Sequence, residues 1–300
     1  MMIANRRRVA GAVAVGAALS LAGVARATPA SGLFYERSVM QAADARCRLF
    51  PPEIAQALNA SRLQARGAAL RGGLSETDLA AAADRAKTAA YGVACTAPDL
   101  ITAADRVKAA FAGYAKISWM SFPGELSRWD AIRKPTAPVV DHRPVDGPLW
   151  RLSEPGVWDG GGQGAVIFGL TADPNQPTVI AADPGLTQAS SAFFIVRDPE
   201  KAALPLIDPR HRDLISRAPP RTVTRGFVAS VKQAAPASLL PGGRGQGALF
   251  AFPPAAAQAL AGLDPREAVT VEFVFPDRPS RRAVFEVGDF AAGRAFLATR

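Results

Sequence analysis

Two histidines, two cysteines and a run of arginines are the side chains of this 300-residue chain from which reaction chemistry or ligand binding would be built. His211 sits in Asp208-Pro209-Arg210-His211-Arg212-Asp213. An imidazole between carboxylates suits a general base or a hydrolytic site, with Asp208 or Asp213 orienting the ring. The flanking arginines oppose that chemistry, because they disfavour the imidazolium and repel a metal cation. His142 lies between Asp141 and Arg143 in a proline-rich stretch. No H-x-x-x-H, H-E-x-x-H or C-x-x-C-H run occurs, so neither zinc nor c-type haem is expected, and no other cofactor is. G-x-S-x-G is absent, and Ser190-Ser191 has no neighbouring histidine. The glycine stretches 160–164 and 242–247 precede strand-like rather than helical runs, so they read as turns and not as phosphate loops. A hydrolase around His211 is therefore the alternative reading and not the first.

Arg210, Arg212, Arg217, Arg221 and Arg225 form the densest positive run, with Pro219-Pro220 inside it. Guanidinium groups hold phosphate and carboxylate bidentately, so an anionic envelope polymer or lipid head groups would suit this patch. The plainer reading is a solvated edge, since arginine serves in place of lysine throughout the chain. Trp119, Trp129, Trp150 and Trp158 flank the proline-rich stretch on both sides and read as a seam between two domains or as a partner surface.

These residues must be positioned by elements that follow an export signal. Arg6-Arg7-Arg8, an apolar stretch from Val9 to Val24 and the small-x-small end Ala25-Arg26-Ala27 form that signal, with cleavage expected between Ala27 and Thr28. The apolar stretch is short and built from Ala, Gly and Val, so no transmembrane helix is expected once it is removed. The formal charge of +9 invites a nucleic-acid reading, but the signal carries four arginines and no acid, which leaves +5 on the exported chain. Export and a modest charge together make nucleic acid an unsuitable partner.

The remaining chain divides into a helical domain over 28–133, a proline-rich linker over 134–149 and a β-rich domain over 150–300. Four helices are expected, at about 34–50, 52–71, 76–94 and 98–120. Pro52 and Pro98 suit first helical turns, and Ser75 with Asp78 resembles a capping box. In the fourth helix Leu100, Ala104, Val107, Phe111 and Tyr114 recur at helical spacing and predict burial on one face. Short connections favour an antiparallel bundle. Its stripes are rich in alanine, which buries little area per residue. Cys47 and Cys95 stand at helix ends, and in an oxidising compartment they are expected to pair and staple this weak core.

Beyond Trp150 short β-like runs alternate with Gly, Pro and Asp clusters. They lie at 165–170, 178–182, 191–196, 226–232, 248–252, 269–275 and 283–287, the last two as a hairpin. A short helix at 254–261 and a terminal one at about 289–299 complete a mainly antiparallel domain. The fold class is thus α+β: a disulfide-linked antiparallel helical bundle, then a β-rich domain with a C-terminal helix. The ending, from Leu260-Ala261-Gly262 through this hairpin to Gly288-Asp289-Phe290-Ala291-Ala292-Gly293-Arg294-Ala295-Phe296-Leu297, resembles the ending of small exported β-sandwich proteins of the invasion-associated locus B type. That resemblance covers about 40 residues, lacks that family's cysteines and carries no function across. The expected role is binding or scaffolding in the cell envelope, periplasmic or secreted, with an envelope protein or an anionic envelope polymer as partner.

Overall fold

The computed structural model describes residues 29–133, 139–140, 143–144, 151–159, 166–172, 177–208, 210–240, 243 and 245–299. The expected signal, its cleavage point, Trp150 and His142 lie outside these residues. Of the proline-rich stretch, β3 (Val139–Val140) and β4 (Arg143–Pro144) are described, and they pair antiparallel.

The first third is helical: α1 (Ala30–Cys47), α2 (Pro52–Arg71), α3 (Glu76–Tyr91) and α4 (Pro98–Phe111). Helices α2 and α4 start on proline, whose missing N–H costs nothing in a first turn. Helix α3 starts on a complete capping box: the Ser75 hydroxyl accepts from the Asp78 N–H, and the Asp78 carboxylate accepts from the Ser75 N–H. Helix α1 ends where Arg48 turns into the left-handed region at φ 53°. Small side chains such as Ala43, Ala57, Ala86 and Ala90 are buried where α1 lies against α2 and α3. Cys47 and Cys95 form a disulfide with their Cα atoms 5.5 Å apart.

The fourth helix stops at Phe111, not near Met120 as its spacing predicts. Gly113, at φ 80°, breaks it, and a single 3₁₀ turn at Tyr114–Lys116 follows. The chain then becomes β1 (Trp119–Pro123) and β2 (Arg128–Ile132), a hairpin that pairs Phe122 with Trp129. Residues 119–132 are strands rather than helix and turn, because Phe122, Trp129 and Ala131 alternate toward the core.

That hairpin begins a seven-stranded antiparallel sheet in the order β1-β2-β5-β7-β8-β12-β11. Its further strands are β5 (Arg151–Pro155), β7 (Ile167–Ala172), β8 (Pro177–Asp183), β11 (Val231–Ala234) and β12 (Ala248–Phe252). A five-stranded sheet runs β10-β9-β13-β14-β6. It comprises β6 (Val157–Trp158), β9 (Ser191–Arg197), β10 (Thr224–Val228), β13 (Ala268–Val274) and β14 (Arg281–Glu286). Phe168 and Phe250 of the larger sheet share one core with Phe194, Phe273 and Phe285 of the smaller, so the two sheets face each other as a sandwich. Helix α5 (Pro254–Ala261) lies against β8 and β9. The terminal helix α6 (Phe290–Ala298) lies against β1, β2 and β5 and also against α2, so it joins the helices to the sandwich.

Buried charges fasten that junction. Arg71 of α2 grips Asp289 at the start of α6 through two hydrogen bonds of 2.7 and 3.0 Å. Burial pushes the Asp289 carboxyl up, and the Arg71 guanidinium pulls it back down. Arg133 sits over the Phe296 ring and donates to the carbonyls of Phe296, Tyr114, Ala115 and Ile117. The carboxylate of Glu286 accepts the N–H groups of Glu125, Leu126 and Ser127 and the Ser127 hydroxyl, so β14 holds the β1–β2 turn.

Tyr114 packs edge-on against Phe111 and Phe296, and burial pushes its phenol from 10.0 to about 12. Above pH 10 the unfolded state loses this proton first, so stability falls as pH rises from 10 toward 12. The loss at pH 11 is about 1 kcal/mol. Urea midpoints measured from pH 9 to 11.5 are expected to fall more steeply for the wild type than for Tyr114→Phe; parallel curves would contradict this.

Candidate functional site

Helix α4 packs against α2, while α1 packs against α2 and α3. Between α1 and α4 this arrangement leaves an open groove of about 730 Å3. One wall is Tyr35, Val39 and Met40 of α1, and the other is Leu100, Val107 and Phe111 of α4. Leu58, Ala43, Ala89 and Ala90 also line it. Val107 and Phe111 pack with one side against the cluster of Met40, Ala43, Leu58, Leu100 and Ala104 and turn the other to the groove. Leu100 and Ala104 are buried as the stripe predicts, whereas Val107 and Phe111 stay half-exposed on the groove wall. Val93, 39% exposed, extends the same apolar surface.

Charge is confined to a few groove residues. Arg37 and Arg106 line it with Glu36 as the one carboxylate. The Arg37 guanidinium donates to the Ser61 carbonyl at 2.8 Å, and burial lowers its pKa, with neighbouring Glu36 partly restoring it. Neither Arg37 nor Arg106 makes an ion pair among the described residues. The groove therefore offers an apolar trough with net positive charge, which can hold an apolar chain and attract an anionic group.

The residues singled out from the sequence stand elsewhere. Arg210 is paired with Asp208, Arg217 with Glu125 and Arg221 with Glu272, which also holds Arg282. Arg225 lies over the Phe227 ring, and Arg212 is exposed. Most of this run is thus engaged by the protein's own groups. His211 is half-buried; its N–H donates to the Asp208 carbonyl, and its own carbonyl accepts from Arg217. The Asp208 carboxylate is turned onto Arg210, which holds it far below the ordinary range, and Asp213 accepts the Ser216 N–H. Both carboxylates flanking His211 thus make their hydrogen bonds to other partners, and the imidazole contributes a smaller electrostatic pull on each. No cluster of three or more His, Cys, Asp or Glu side chains suited to a metal ion occurs among the described residues.

The three described tryptophans, Trp119, Trp129 and Trp158, do not form one surface. Trp129 is fully buried against Phe168 and Phe290, and its indole N–H donates to the Val287 carbonyl. Trp158 is buried against Phe273, with the Arg281 guanidinium over its ring at 3.9 Å. Trp119 is exposed on the edge strand β1. Sequence reading missed the groove, although its signal was present: an amphipathic fourth helix facing alanine-rich partners. Among the described helices none is long and apolar enough to cross a membrane. Comparison with protein-family models, with curated proteins and with solved structures returns no match.

Proposed function

We propose that the protein is an exported cell-envelope binding protein, and that the helical groove holds a single-chain amphiphile with an anionic head. The observation that carries this reading is the groove itself, an apolar trough whose arginines outnumber its carboxylates. Its volume falls within the range of about 300–1,000 Å3 usual for small-molecule sites. The tail would lie along Val39, Met40, Val107 and Phe111, and the head would meet Arg106 and Arg37. Each buried methylene contributes about 0.8 kcal/mol, so a tail of moderate length supplies the driving force and the arginines select the charged head. The Cys47–Cys95 disulfide supports an oxidising compartment.

Dodecanoate below its micellar concentration, titrated by native mass spectrometry, tests the site. Wild type is expected to bind it and to bind dodecanol more weakly. Val107→Asp is expected to weaken binding tenfold or more, whereas Ile101→Asp, on the exposed side of α4, leaves it unchanged. Equal binding by both variants, or none by the wild type, would remove the groove as a site. Recovery of the protein with its N-terminus at Thr28 in the exported fraction would support the address, and a cytoplasmic protein with reduced thiols would overturn it.

A further inference from the structure

The flank of α1 away from this groove carries a different kind of pocket, of about 290 Å3, and it shares no lining residue with the groove. Ser38, Gln41, Ala42 and Ala45 recur at helical spacing and form its α1 side. Arg62 of α2 and Lys87 of α3 supply two cations, and no carboxylate lines it. We propose that this pocket binds a small anion through a carboxylate or phosphate group, with Arg62 as the principal contact.

The state of Arg62 carries the inference. Its Nε is buried and makes no hydrogen bond, and the guanidinium carbon lies 5.8 Å from the centre of the Phe34 ring. Buried guanidinium nitrogens are ordinarily paired, because an unmade bond leaves the desolvation cost uncompensated. Burial lowers the pKa of Arg62, and the charge of Arg66 lowers it further. Arg66 is itself committed to Glu76. Among the described residues no acidic side chain therefore answers Arg62. Lys87 adds a second positive charge beside the Tyr91 ring, which also lies under the Arg46 guanidinium. The Nε of Arg46 is likewise buried and unpartnered. An anion with two oxygens would accept from the Arg62 fork and face Lys87, while an organic body would lie against Tyr91 and the alanines.

Inorganic phosphate and succinate, each compared with sodium chloride at equal ionic strength, separate the two sources of such an anion. A saturable rise in melting temperature with either one identifies the group that binds. Arg62→Met is expected to raise the melting temperature of the anion-free protein, since it removes a half-buried charge that has no acidic partner among the described residues, and to weaken anion affinity tenfold or more. Lys87→Gln is expected to weaken affinity without altering the anion-free protein. A wild-type response no larger than that to chloride would overturn the proposal, and so would an unchanged affinity in Arg62→Met. Dodecanoate binding in Arg62→Met stays at the wild-type level if the groove and this pocket act separately, so failure here leaves the groove reading to be judged by its own variants.

Discussion

Replacing both Cys47 and Cys95 by serine is expected to lower the melting temperature by about 10 °C. The bridge spans a sequence separation of 48 residues, and the loop-closure entropy it removes from the unfolded chain amounts to about 4 kcal/mol. For a chain of this size each kcal/mol shifts the midpoint by about 2–4 °C. The effect is expected to be local before it is global. The bond ties the end of α1 to the segment leading into α4, and α4 otherwise rests mainly on α2. Its alanine-rich contacts offer little apolar area to replace the covalent constraint. Trp119, Trp129 and Trp158, three of the four tryptophans, belong to the sandwich strands, so indole emission reports mainly the sheets while far-ultraviolet dichroism at helical wavelengths reports the bundle. In the reduced or serine variant the helical signal is expected to melt ahead of the indole signal, and dodecanoate binding is expected to go with the helices. Coincident transitions within 2 °C of the oxidised wild type would show that packing alone holds α4 in place.

The legible parts of this fold are those whose cause is local. Pro52, Pro98 and the Ser75–Asp78 box mark helix starts within a few residues of themselves, and each helix begins there. The unbroken apolar run of 248–252, buried at every position, and the alternation of Val269, Val271 and Phe273 with Thr270 and Glu272 are carried by the strands themselves. The cysteine pairing was legible because two thiols at helix ends had one sensible partner each. What escaped depends on distant segments. Residues 226–232 read as one strand but form β10 and β11 in different sheets. The bend at Ala229-Ser230 is fixed from outside, by Ala192 and Ala251 carbonyls that accept their N–H groups. The α4 stripe predicts a buried face correctly at Leu100 and Ala104, but nothing in its spacing says that Val107 and Phe111 will be only half covered by their neighbours. The carboxylate of Glu286 and the turn it holds are about 160 residues apart in sequence, as are Arg133 and the α6 carbonyl it clasps. Such pairs carry no short-range signature. The candidate site was therefore half-visible: its apolar residues could be named, while the vacancy between them is a product of packing.

Arg197 and Glu267 show the same dependence on distance and the second large expected effect. Their side chains are about 5% exposed and meet in a fork of two hydrogen bonds, 2.6 and 2.9 Å, between the end of β9 and the start of β13. The carboxylate also accepts the Asp264 N–H, and the guanidinium also donates to the Ala202 carbonyl. The hydrogen-bonded carboxylate holds the Arg197 pKa above its ordinary value. Taking both charges out of water costs much of what their attraction returns, so the pair as a whole contributes modestly. Removing one partner is a different matter, because the other charge stays buried without an answer. Arg197→Met or Glu267→Leu alone is expected to cost about 3–5 kcal/mol. The double variant, with two apolar side chains filling the site, is expected to be more stable than either single one. Equilibrium urea unfolding of the four proteins measures this directly. If the two single losses simply added, Arg197 and Glu267 would be acting through separate contacts, and the Ala202 and Asp264 backbone bonds would be the ones holding the 197–202 turn and the entry to β13.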